Sequence, residues 1–437
     1  MSKSSTTSEA KKLFVDGKEF EYRSPKAGGA NSAGVLGGVY QNDGQLALIK
    51  SDSTVKDMSE FLASKLFEQT APDHSARVGI ARERDINGKD AGSPYVCSYF
   101  LPDYADLSTK VTTRSMKKDG RVFAAGFVNK FTGFMRAKML DSGGKPKYSG
   151  FPETMATSLL IGDFDVHTGN VGLVENKKLV RIDYAAAFDN LEPEIHPNSR
   201  SRHPVGKGPT NHFREYPRSM RISPEFAEHA FAVSKMDMGA KIDEGMKELG
   251  EHYRPEDFVS FGKRLGMDAG NLIGKPEDVQ TNISKHLKTI LKKRQESLKQ
   301  YAIEISIDLC FDKKGNFQTI VKADGTVIQG EKHFNQLMNE NPEYFAAVKK
   351  GEKKLHFRDK AHKSTFGFLD ITRFTRGAIV RQAVMAKIKA RAQETTSFAL
   401  SRGARAALMS VSSRSVHTGA EAPRSAVKSL GKNEHFI

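Results

Sequence analysis

The stretch LIGDFDVHTGNVGLVENKKLVRIDYAAAF, residues 160–188, constrains the fold more than any other part of the chain. It places Asp165 and Asn170 five residues apart on a polar loop. The apolar runs VGLV and KLVRI, on either side of a turn at Asn176 and its lysines, then read as two short strands. The second strand ends on Asp183, thirteen residues after Asn170. A chain folded this way carries a carboxylate, an amide and a second carboxylate to one end of a hairpin. Transfer of a phosphoryl group needs such a set. One carboxylate orients the attacking hydroxyl and takes its proton, while an amide oxygen and another carboxylate hold Mg²⁺ against the phosphates. The plainer reading is a polar loop followed by a strand-end turn, and only residues elsewhere in the chain can displace it.

Those residues lie upstream. FVDGKEFEYRS alternates as a strand does, the glycine-rich GGANSAGVLGGVY follows, and the apolar strand QLALIK ends on Lys50. Glycines let backbone N–H groups approach phosphate oxygens with no Cβ in the way, so Gly34, Gly37 and Gly38 are candidate nucleotide contacts. The run contains no GK[ST] and does not match GxGxxG. A helix is expected over VKDMSEFLASKLFEQT, where Met58, Leu62 and Leu66 share a face and Pro72 ends the run. It offers Glu60 or Glu68 as an ion-pair partner for Lys50. PYVCSYFLP then reads as a further strand.

Taken together, these motifs resemble the atypical kinases. Asp-x-His-x-x-Asn followed by Ile182-Asp183 is similar to the catalytic and metal loops of phosphoinositide kinases and of toxin-type bacterial serine kinases. YFLPDYADL resembles the hinge after their small lobe. ASKLFEQTAP, GDFDVHTGN and IDYAAAF resemble kinase domains that intracellular bacterial pathogens inject into host cells. The resemblance implies an α+β, two-lobed protein-kinase-like fold, with a small β-rich N-lobe and a larger helical C-lobe. It also implies ATP and Mg²⁺ as cofactors, Asp165 as catalytic base, Asn170 and Asp183 as metal ligands, Lys50 as the phosphate-binding lysine and Glu60 as its partner. His167 supports the loop rather than the chemistry. Val166 stands where lipid kinases carry a basic residue, which favours a protein Ser/Thr acceptor over an inositol lipid. Ala185 stands where other kinases have glycine. The alternatives are a phosphoinositide kinase and a pseudokinase scaffold on anionic membrane.

The expected organisation is a polar N-terminus (1–12), an N-lobe and hinge (13–110), a C-lobe (111–305), a small β/helical element (306–350) and a basic helical tail (351–437). Between the lobes' motifs and the tail, residues 198–221 carry Arg200, Arg202, Lys207, Arg214, Arg218 and Arg221, at the position of an activation segment. With the lysines of 285–299 they form a candidate anion site, and the resemblance points to inositol hexakisphosphate as an activator. His196, His203 and His212 fit no compact zinc spacing and read as surface residues.

Of the formal charge of +16, residues 351–437 hold 17 Lys+Arg against 6 Asp+Glu, a net +11. Phe374, Ile379, Val384 and Ile388 alternate there with Arg and Lys, a pattern of basic amphipathic helices at anionic, phosphoinositide-bearing membranes. Nucleic acid is not expected, since no recognition module is present. Cys97 and Cys310 cannot form a disulfide framework, which suits a reducing compartment. No apolar h-region opens the chain, and no stretch of ~18 apolar residues occurs, so neither a cleaved signal nor a transmembrane helix is expected. The resemblance implies delivery into host cytoplasm by a specialised secretion system, where a host protein or phosphoinositide is the substrate, followed by recruitment to membrane.

Overall fold

Two Asp-Gly turns start the architecture. Asp16-Gly17 and Asp43-Gly44 all take positive φ, the conformation that tight two-residue hairpins require. They join β1 (Lys12–Val15) to β2 (Lys18–Ser24), and β3 (Gly38–Asn42) to β4 (Gln45–Lys50). The computed structural model describes residues 12–26, 37–85, 87–106, 148–163, 165–166, 170–175, 177–189, 191, 195, 223–312, 314–353, 355, 378–393 and 397.

After β4 comes helix α1 (Thr54–Thr70), whose first turn is capped by the Ser53 side chain accepting from the Lys56 backbone N–H. It is followed by β5 (Val78–Arg84) and β6 (Asp90–Tyr99). β1 pairs with both β2 and β5, so the strands close into a barrel of order β1-β2-β3-β4-β6-β5. The expected N-terminal part is β-rich, but a closed barrel is not the usual small lobe of a kinase. Pairing of Phe14 with Arg82 and of Val15 with Ala81 removes the free edge. Leu13, Phe20, Tyr40, Ala47, Ile49 and Cys97 fill the barrel. The outward-facing Val78, Ile80 and Val96 pack instead with α1 into the main core.

The larger part is mostly helical. It begins with β7 (Ala105–Asp106), α2 (Phe151–Ile161), β8 (Val171–Val174) and β9 (Lys178–Arg181), and β7-β8-β9 form one small antiparallel sheet. Helices α3 (Pro224–Ser234), α4 (Gly239–His252), α5 (Pro255–Arg264) and the 35-residue α6 (Pro276–Cys310) complete it.

Helix α6 runs unbroken across the boundary expected at 305–306. Its Leu287, Leu291 and Leu298 belong to the main core, whereas Ile303, Ile307 and Cys310 belong to a second one. That second core also holds the hairpin β10 (Thr319–Val321) and β11 (Val327–Gln329), α7 (Gly330–Glu340), α8 (Pro342–Lys350) and a helix over 378–393, here α9. Val380, Val384 and Ile388 of α9 are buried in it. The apolar face expected to enter a membrane is thus packed inside the protein, and Ile379 alone of the named aliphatic residues stays exposed, at 37%. Phe374 lies outside the described residues.

Candidate active site

Lys50 is the last residue of β4, where alternation points Ala47 and Ile49 into the barrel and Lys50 outward beneath α1. Its Nζ lies 2.7 Å from Glu60 Oε1 and 3.1 Å from Asp183 Oδ1. Glu60, nearly two turns into α1, is therefore the partner. Glu68 stands eight residues further along the helix. Lys50 and Glu60 are both buried, whereas the Asp183 side chain keeps 32% exposure toward the cleft. Burial lifts the Glu60 carboxyl to about 7, the Lys50 ammonium opposing it. For Asp183 the balance reverses: burial pushes its carboxyl up, but Lys50 and Arg181 outweigh that and hold it below the ordinary carboxylate value. Asp183 also sits at φ +60, a left-handed conformation that aspartate tolerates better than most residues.

Asp165 and Asn170 meet across their loop. The Asn170 side-chain amide donates to Asp165 Oδ2 at 2.9 Å and to the Asp165 carbonyl at 3.1 Å. The Ile182 N–H donates to the Asn170 carbonyl at 2.9 Å, which joins this loop to the residue before Asp183. The five predicted polar residues thus form two groups, Lys50–Glu60–Asp183 and Asp165–Asn170, joined through the backbone bond between Ile182 and Asn170.

What holds them there is Arg181, which sequence reasoning missed. Its guanidinium is completely buried and donates through Nε and Nη2 to Asp163 Oδ2, at 3.0 and 2.7 Å. The same group donates to the carbonyls of Asn170 (2.7 Å), Asp165 (3.3 Å) and Ile182. Asp163 in turn accepts the Asp165 N–H at 3.1 Å. One ion pair therefore ties three backbone carbonyls of the loop and hairpin together. The sequence signal for it is slight, an aspartate two residues before Asp165 and an arginine two before Asp183. Downstream, Arg264 donates to the Ala185 carbonyl at 2.8 Å and pairs with Asp189 at 2.6 Å, which pins the segment after Asp183.

Of the glycines, Gly34 lies outside the described residues. A Cβ on Gly38 would stand 2.6 Å from both the Ser24 carbonyl and the Tyr22 ring, so this glycine permits the close approach of β2 to β3. His167, His196, His203, His212 and the basic run 198–221 also lie outside the described residues. Of the α6 lysines, Lys285 and Lys288 line a cavity of about 290 Å³ with Asp243, Thr281, Ser284 and Thr289, and Lys288 is paired with Asp243 at 2.5 Å. Among the described residues no group of three or more His, Cys, Asp or Glu could hold a metal ion. No described helix is long and apolar enough to cross a membrane.

Residues 118–302 match the model of the LepB N-terminal domain family, a stretch that includes Asp165, Asn170, Asp183 and Arg181 but neither Lys50 nor Glu60. No curated protein matches the chain. Among solved structures, the N-terminal 618-residue fragment of LepB from Legionella pneumophila is similar at 14% identity and a TM-score of 0.38, over 77% of this chain and 65% of that one. The chain therefore spans just under two thirds of that fragment. The Helicobacter pylori proinflammatory kinase CtkA is similar at 14% identity and a TM-score of 0.31, over 66% of this chain and 96% of that one.

Proposed function

We propose that this chain is an ATP- and Mg²⁺-dependent kinase that transfers the γ-phosphoryl group to a hydroxyl. The observation that carries the proposal is the ion-paired cluster of Lys50, Glu60 and Asp183, tied through the Ile182 N–H to Asn170, whose side chain bonds Asp165. The donor set suits the metal. An ionised carboxylate and an amide oxygen are hard donors, and Mg²⁺ takes one or two carboxylates plus substrate phosphates rather than a full protein cage. Asp183 and Asn170 would hold it, and bound there it supplies positive charge to the phosphate oxygens.

The protein's own groups do the rest. Glu60 fixes the Lys50 ammonium, which is left to meet phosphate oxygens once the nucleotide enters. Asp165, exposed at the mouth of the cleft, orients the acceptor hydroxyl and accepts its proton, while Asn170 holds its carboxylate in place. A flat base would rest on apolar side chains of the same strand and its neighbour. Leu48 pairs opposite Ser98 on the face that carries Lys50, and the exposed Leu46 and Phe100 are linked by the Phe100 N–H donating to the Leu46 carbonyl at 2.9 Å. Val166 is buried, so no cation stands beside Asp165 at that position, which supports a protein Ser/Thr acceptor. Delivery from a bacterium into host cells rests on the resemblance of the loop motifs. Activation by an inositol polyphosphate and recruitment to anionic membrane rest on the basic residues of 198–221, α6 and the tail.

The test is phosphate transfer from γ-labelled ATP to protein mixtures and to phosphoinositide liposomes, with and without inositol hexakisphosphate. Wild type should transfer only with Mg²⁺, and Asp165→Asn should lose at least ~10²-fold. Transfer to lipid alone would replace the protein acceptor, and nucleotide binding with no transfer would make the chain a scaffold.

A further inference from the structure

The register of three barrel strands leads from Lys50 toward a second lysine, Lys26, two residues past the end of β2. Ser24 of β2 lies opposite Val39 of β3, and Val39 lies opposite Leu48 of β4. Gly38 lies opposite Ile49, one step further along. Continuing the same rows past the end of β2 puts Lys26 beside Gly37, and Gly37 beside Lys50. Alternation gives Ser24 and Lys26 the outward face that Leu48 and Lys50 share. Neighbouring strands are ~4.8 Å apart, so roughly 10 Å separates the two backbones, within the joint reach of two lysine side chains around one polyphosphate. Gly37, between them, has no side chain to intervene.

Electrostatics place Lys26 in the same group. Burial is the first influence lowering its ammonium, Lys50 is the second, and Asp183 and Glu60 pull it the other way. Without Lys26, the ion-paired cluster of Lys50, Glu60 and Asp183 has two carboxylates against one ammonium, a poor environment for a triphosphate. Lys26 balances it.

We propose that Lys26 is a second phosphate-binding cation, acting with Lys50 on the polyphosphate of the bound nucleotide. This rests on the kinase reading above and assigns a role to a residue outside its usual set. The full-length protein, Lys26→Ala and Lys26→Arg are titrated by calorimetry with Mg-ATP, Mg-ADP and AMP. Lys26→Ala should weaken ATP and ADP about tenfold or more, since a hydrogen bond to a charged group is lost, and should leave AMP unchanged. Lys26→Arg should bind close to wild type. Equal ATP affinity in Lys26→Ala and wild type overturns the assignment while the nucleotide site stands. An equal loss for AMP overturns it too, because the residue would then act on the base or the fold. A wild type that binds none of the three overturns the kinase reading itself.

Discussion

Glu60 and Arg181 show how much a buried charge depends on its partner. Unfolded, the Glu60 carboxyl titrates near 4.5; folded, it titrates at about 7. Between those values the folded chain binds the proton more tightly. Its contribution to stability is thus fully present below 4.5 and is lost as pH rises through 7. The melting temperature of wild type relative to Glu60→Gln should therefore fall as pH is raised across that window, and a flat difference would contradict the assigned environment. Arg181→Ala leaves the fully buried Asp163 without its cation and takes one donor from each of three carbonyls, and should cost about 3–5 kcal/mol by denaturant unfolding. Lys50, Asp165, Asn170 and Asp183 are legible in the sequence because each is fixed by a local pattern, a strand end or a loop spacing. Arg181 is not, because its importance lies in contacts with groups 11, 16 and 18 residues away.

Among the elements, α9 departs furthest from its sequence reading. A basic amphipathic pattern has the same spacing whether its apolar face meets lipid or a protein core, so Val384 and Ile388 alone could not decide between them. The partner surface decides: Phe311 just after α6, Phe334 of α7 and Phe345 of α8 already form an aromatic cluster, and α9 covers the core they belong to. Ile388→Ala should destabilise the protein by about 2–5 kcal/mol, read from chemical denaturation. An unchanged midpoint would mean that α9 is not docked in solution. FVDGKEFEYRS reads as one alternating strand, but Asp16-Gly17 folds it into the hairpin β1-β2; closure of the barrel was not legible either, because it depends on a two-residue pairing between β1 and β5, far apart in sequence.

For the whole molecule, the excess charge remains while the inserting face does not. If the tail recruits the protein to anionic vesicles, the attraction should be Coulombic throughout. Binding should fade as salt shrinks the Debye length from ~10 Å at 0.1 M to ~3 Å at 1 M, with no hydrophobic remainder. Co-sedimentation that persists in molar salt would show that α9 leaves its core to insert. The proposed site joins parts far apart in sequence, since Lys50 and Glu60 come from β4 and α1 and Asp165, Asn170 and Asp183 from the segments around β8 and β9. The most direct measurement is the affinity of wild type and Asp183→Asn for ATP by calorimetry, each with and without Mg²⁺. The account predicts that Mg²⁺ strengthens binding to wild type and has little effect on the variant. Mg²⁺ dependence that survives in Asp183→Asn, or no binding to wild type at all, would contradict it.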